Sequence, residues 1–193
     1  MAGGLCAQRG WSASDGTSTG AAIVSSASDR TERMRLAADA LWERFGDDSR
    51  GRERSALGEA LSWVGFYEIA PDPNEHGAEP GSDMILGPHR DTPACSPIGR
   101  HGACGQSFFG NEALVVRDVA SLGEGYVACD PRDLAELVIP LADDSGERWG
   151  VFDADSFGRG TFTEADARLM HAFLHAAGLT AASFADSGLR VIG

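Results

Sequence analysis

The chain has 193 residues, enough for one domain with a sizeable core, and its charged and hydrophobic fractions of 23% and 42% are those of an ordinary globular protein. Its formal net charge of −13 repels phosphate backbones and anionic lipids, which argues against nucleic acid and membrane partners. No apolar run approaches the ~20 residues of a membrane helix and no basic-then-apolar leader opens the chain, so a cytoplasmic protein is the default expectation. There its four cysteines are reduced, and any disulfide is transient and catalytic.

Residues 1–30 are rich in Gly, Ser, Ala and Thr without periodicity and are expected to form a disordered tail, which carries Cys6. A second reading takes this tail as the product of an upstream start codon, with Met34 the true start. The spacing predicts a helix over Thr31–Phe45, with Met34, Ala38, Leu41, Trp42 and Phe45 on one stripe and Gly46 as its stop. A shorter helix is expected around Glu53–Leu61. Ser62–Ile69 reads as a strand with Trp63, Gly65 and Tyr67 on one face and Val64 and Phe66 on the other. Pro71–Gly81 is a polar surface connection, and Met84–Gly87 a second strand leading into the Cys95 loop. Gly102–Gly110 reads as a short helix and Ala113–Arg117 as a third strand. The irregular stretch Asp118–Asp133 holds Cys129, and unstructured loops of that length are usually functional or disordered. Glu136–Leu141 and Trp149–Asp155 then pair as a hairpin around Asp143–Gly146. The last helix starts at Thr163, capped with Asp166, and buries Leu169, Met170, Phe173, Leu174 and Ala177. Residues 31–187 thus form a single α+β domain, a central antiparallel sheet flanked by N- and C-terminal helices, and 188–193 a C-terminal tail.

Cys95, Cys104 and Cys129 sit in loop-like stretches, and carboxylates follow the third. Thiols beside carboxylic acids point to sulfur redox chemistry rather than a structural staple. The absence of a C-x-x-C pair weighs against zinc-ribbon and thioredoxin-type readings. A metal site joining the thiols to His89 or His101 lacks the short chelate pair of structural zinc, so no metal is expected. His171 and His175, four apart without an H-E-x-x-H glutamate, are expected on a solvated helix face.

The hairpin carries the sharpest inference. Asp153 and Asp155 leave one face of their strand. A two-residue turn at Asp144-Ser145 sets Glu136 opposite Asp153, and one at Ser145-Gly146 sets it opposite Asp155. Either register gathers three carboxylates, which cannot all ionise cheaply, so at least one is held in its acid form. The competing reading is an edge hairpin whose acidic face meets water. Cys129 has Asp130 and Arg132 as neighbours of opposite sign, and an unperturbed thiol is only about 3% thiolate at pH 7, so a nucleophile here needs help from its site.

Taken together, Ser62-Trp63-Val64-Gly65-Phe66-Tyr67, Leu86-Gly87-Pro88, Pro93-Ala94-Cys95, Cys104-Gly105, Val127-Ala128-Cys129-Asp130, Glu136-Leu137-Val138-Ile139-Pro140-Leu141 and Asp153-Ala154-Asp155-Ser156 resemble, in order, the motifs of the GAF-domain free methionine-(R)-sulfoxide reductases. The resemblance implies a GAF-like fold and thiol-dependent reduction of free L-methionine-(R)-sulfoxide to methionine. It makes Cys129 the nucleophile that becomes a sulfenic acid, Cys95 the resolving cysteine of an intramolecular disulfide, and Cys104 an auxiliary thiol. Glu136, Asp153 and Asp155 become the carboxylates that hold and activate the substrate, and Trp63 and Tyr67 its aromatic pocket. No bound cofactor is implied; the reductant is an external dithiol such as thioredoxin, and the assembly a homodimer. The chain departs from the family at Ser62, where Asn is usual, at Gly99-Arg100-His101-Gly102, in a shorter Cys95–Cys104 segment and in a longer stretch around Asp72–Ser82. Competing expectations are a non-catalytic GAF module that binds a small ligand and a redox or metal sensor using the same thiols.

Overall fold

The computed structural model describes the chain apart from residues 1–3, 47–59, 71–81, 91–92, 124–125, 127, 182 and 185–187. In chain order the elements are α1 (Leu5–Gln8), α2 (Ala13–Ser26), α3 (Arg30–Phe45), β1 (Trp63–Ile69), β2 (Ser82–Arg90), β3 (Ile98–Gly99), α4 (Ala103–Gly110), β4 (Glu112–Val116), β5 (Ala135–Ala142), β6 (Arg148–Ser156), α5 (Glu164–Ala176) and β7 (Gly188–Ile192), with a 3-10 turn at Val119–Leu122. The strands form one mixed sheet in the order β3-β2-β1-β6-β5-β4-β7, antiparallel except for the β4–β7 pair. Of the helix expected around Glu53–Leu61, residues 53–59 lie outside the described residues and Leu61 forms an isolated bridge with Gly46 instead; the connection at 71–81 also lies outside. No helix among the described residues is long and apolar enough to cross a membrane.

Period-two alternation along the three central strands makes two cores. Val64, Phe66, Leu137, Ile139, Phe152 and Ala154 face the helical layer of α2, α3 and α5. Trp63, Tyr67, Val138 and Val151 face the opposite side, beneath α4 and the cysteine loops. Thr163 and Asp166 close the expected capping box of α5. Asp29 caps α3, whose stripe buries Met34, Ala38, Leu41 and Phe45 and half-buries Trp42.

Three expectations are corrected. Residues 1–30 are not a disordered tail from residue 4 onward: α2 carries a Ser12/Asp15 capping box, and Leu5, Cys6, Trp11 and Ile23 are buried. The composition is poor in large apolar residues, but its small ones let backbones approach closely; a Cβ at Gly20 would fall 2.7 Å from the Phe173 carbonyl oxygen. Trp11 then packs edge-on to Phe45 at 5.1 Å and beside Phe173 at 5.8 Å. Cys6, set aside as a tail residue, is part of that core, its backbone N–H donating to Asp166 Oδ1 at 2.6 Å. Residues 188–192 are a strand rather than a tail, because the outer edge of β4 offers a row of backbone partners that a five-residue run cannot announce by itself. His171 is buried rather than solvated: Phe184 folds over it with ring centroids 5.2 Å apart, and burial lowers its pKa to about 4. His175 is the exposed member of the pair.

Candidate active site

The floor of the site is the centre of the sheet. In the β5–β6 hairpin Glu136 faces Asp155 and Val138 faces Asp153, the register expected of a turn at Ser145-Gly146. The loop spans Asp143–Glu147; Gly146 takes φ +84, which an L side chain adopts only with strain, while Asp143 Oδ1 accepts hydrogen bonds from the N–H groups of Ser145 and Glu147. On the other flank of β6, Gly65 lies opposite Asp153 and Trp63 opposite Asp155. Glycine is required at 65: a Cβ there would meet His89 Cβ at 2.5 Å and Trp63 Cη2 at 2.6 Å, and so would break the stack of Trp63 on His89. Tyr67 also stacks with Trp63 at 5.9 Å and donates its hydroxyl to the carbonyl of Cys95 at 2.9 Å. The first strand therefore shapes an apolar wall and anchors the Cys95 loop.

All eight residues singled out in the sequence line one cavity of about 340 Å³. Cys95 and Cys129 are joined in a disulfide with Cα atoms 5.5 Å apart. Cys104 stays a buried free thiol on α4 and donates to Asp153 Oδ2 at 3.3 Å. The acidic face is largely withdrawn from water: Glu136 and Asp153 are each 5% exposed, and Asp155 is half-buried. Burial, then repulsion from Asp153, pushes Glu136 well above the usual carboxylate range, and the same causes with Glu136 added do so for Asp155. Burial takes Asp153 up to about 7, against the opposing hydrogen bond from Cys104. The thiol of Cys104 is itself driven up, first by burial and then by Asp153 and Glu136. Burial and mutual repulsion therefore bias the cluster toward its acid forms.

Two lining residues escaped the sequence reading. Tyr126 donates to Glu136 Oε2 at 3.2 Å, and Asp133 adds a fourth carboxyl, accepting from Ser62 Oγ at 2.7 Å. Both lie in the irregular segment, where no periodicity aims side chains. Trp63 Nε1 and Asp153 Oδ1 are buried and find no partner among the described residues, so a ligand that both accepts and donates hydrogen bonds would satisfy them. Cys104 Sγ and one oxygen each of Glu136 and Asp153 lie within 4.8 Å of one another, the group among the described residues able to close on a cation or an ammonium. His101 is at the rim and exposed, and His89 stacks outside on Trp63.

The GAF domain model matches residues 30–180. The chain belongs to the GAF domain family. This GAF domain is 32% identical over 115 residues to protein YtsP of Bacillus subtilis, covering 58% of this chain and 64% of that protein. It is 33% identical over 97 residues to the free methionine-R-sulfoxide reductase of Saccharomyces cerevisiae, covering 49% of each. The chain thus spans about half to two thirds of the length of the curated relatives it matches. Among solved structures it is similar to the free methionine-R-sulfoxide reductase of Neisseria meningitidis in complex with its substrate, with a TM-score of 0.68, 26% identity and 86% of each chain covered.

Proposed function

We propose that this GAF domain reduces free methionine-(R)-sulfoxide with its own thiols. The observation that carries the reading is the convergence of a Cys95–Cys129 disulfide and a buried carboxyl cluster on one aromatic-walled cavity. The likeness to reductases of free methionine sulfoxide supports this choice of substrate.

In this reading the reduced Cys129 attacks the sulfoxide sulfur. Oxygen leaves sulfur poorly as oxide, so a carboxylic acid of the Glu136–Asp153–Asp155 group supplies a proton as the bond to oxygen breaks. The protonated oxygen passes from the substrate sulfur to Cys129 Sγ as the transient bond between the two sulfurs breaks, which releases methionine reduced by two electrons and leaves Cys129 oxidised to a sulfenic acid. The thiol of Cys95 displaces that oxygen as water and closes the disulfide. An external dithiol such as thioredoxin then accepts the disulfide exchange, itself becoming oxidised. The ammonium of a free amino acid pairs with the remaining carboxylate charge, which a peptide-bound methionine cannot do. Trp63 and Tyr67 receive the S-methyl end, a sulfur–aromatic contact worth about 0.3–1.5 kcal/mol.

The test is thioredoxin-coupled NADPH oxidation with free methionine-(R)-sulfoxide, its S epimer and an N-acetylated R form. Turnover with the free R epimer alone is expected. Silence with all three, from folded protein whose thiols reduce and reoxidise, would leave a ligand-binding or redox-sensing GAF domain instead.

A further inference from the structure

One contact in the cavity floor has no part in the thiol cycle. Ser62, immediately ahead of β1, donates its backbone N–H to the carbonyl of Asp155 at 2.9 Å and its hydroxyl to Asp133 Oδ1 at 2.7 Å. Asp133 is 5% exposed, lines the cavity, and donates its own N–H to the carbonyl of Asp130 at 3.1 Å, closing the turn that follows Cys129. For holding that turn a carboxylate is a poor choice. An amide would accept the Ser62 hydroxyl equally well without adding a fourth like charge beside three crowded carboxyls.

We propose that Asp133, pinned by Ser62, is a positioning residue whose negative charge keeps a proton on the Glu136–Asp153–Asp155 group, so that an acid is ready for the sulfoxide oxygen. This rests on the reductase reading. The surroundings agree from every side. Asp133 is among the charges that raise Glu136, Asp153 and Asp155. Burial raises Asp133 itself to about 6, with the Ser62 hydrogen bond opposing, Asp130 adding and Arg132 subtracting. Arg132, the neighbouring cation, is spent elsewhere: its Nη2 and Nε bind Asp130, its guanidinium lies 4.5 Å over the Phe157 ring, and it is exposed. Tyr126 and Cys104 face the group as neutral donors, Tyr67 lines it, and His101 stays at the rim.

Asp133→Asn tests the charge, since the amide oxygen preserves the acceptor for Ser62 at nearly equal volume. In the pH profile of kcat/KM for free methionine-(R)-sulfoxide, the basic limb reports loss of the acid's proton. It is expected to move to lower pH by about one unit, the order of effect of a like charge on a neighbouring acid. Asp133→Ser, which also lacks the charge, should move it the same way. A second readout needs no activity. A carboxyl raised from 3.8 to about 6 in the fold loses its proton in the unfolded chain first, so its contribution to stability is present below about pH 4 and lost as pH rises through 6. Asp133→Asn should therefore raise the denaturation midpoint of the oxidised protein at pH 8 and leave it unchanged at pH 3.5. An active wild type whose basic limb stays put in both variants overturns the proposal alone, as does a midpoint difference equal at the two pH values. Wild-type protein that turns over no sulfoxide overturns the reductase reading and the role with it.

Discussion

Reduction of the Cys95–Cys129 disulfide should cost this GAF domain a measurable part of its stability. The bridge spans 34 residues of sequence. Cross-linking over that separation removes about 13 cal/mol/K of loop-closure entropy from the unfolded chain, or about 4 kcal/mol at 25 °C. At a urea m-value of about 2 kcal/mol/M this is a midpoint shift of about 2 M. By the same linkage the fold favours the disulfide over the dithiol. The assay is urea denaturation followed by tryptophan fluorescence, with and without a phosphine reductant, on wild type and on Cys95→Ser. Wild type should shift with reductant and the variant should not. Cys6 and Cys104 are free thiols, so the reductant has no other bridge to open. In single turnover Cys95→Ser should release one methionine per protein and then stall with thioredoxin. Equal midpoints for oxidised and reduced wild type would refute the loop-closure reasoning. Unchanged steady-state turnover in Cys95→Ser would transfer the resolving role to Cys104 or an external thiol.

Cys129→Ser should abolish turnover while leaving the reduced protein's far-UV circular dichroism unchanged; retained activity would remove Cys129 from the nucleophile's place. His171, lowered to about 4 by burial, binds its proton in the unfolded chain before the folded one. Stability should accordingly be full above about pH 6.5 and fall as pH drops toward 4, by about 3 kcal/mol at one pKa unit per 1.36 kcal/mol, and His171→Leu should flatten that slope. Trp11→Ala should cost about 3–5 kcal/mol in denaturation, the range for emptying a large aromatic site. A cost near zero would mean that the N-terminal helices do not pack as described.

The longer helices and strands between Arg30 and Ala176 were legible because their patterns are strong and local, whereas the two-residue β3 and the 3-10 turn at Val119–Leu122 carry no such pattern. Three-to-four spacing in α3 and α5, alternation in β1, β5 and β6, and the Thr163/Asp166 cap each state one element within a dozen residues. The carboxyl group was legible for the same reason: Glu136, Asp153 and Asp155 follow from period two and a short turn, and only the choice between two registers was left open. That choice was decided by an irregularity next to the loop, where the pairing shifts between Ala142 opposite Arg148 and Leu141 opposite Gly150, a bulge that neither two-residue turn includes.

What the sequence by itself determined is therefore three candidate thiols, three of the clustered carboxyls, and the strands that carry those carboxyls, since alternation and capping act between near neighbours. Which thiols meet was implied in the sequence only by resemblance to a family, and the tertiary structure decided it, because Cys95 and Cys129 approach through loops whose positions depend on Tyr67 and the turn after Asp130 rather than on any repeat. It also decided that the acidic face is covered, that Asp133 and Tyr126 join it, and that residues 5–26 and 188–192 are ordered. Each of these depends on surfaces supplied by distant parts of the chain: the close backbone fit of α2 on α5, the open edge of β4, and the roof that α4 and the cysteine loops place over the sheet.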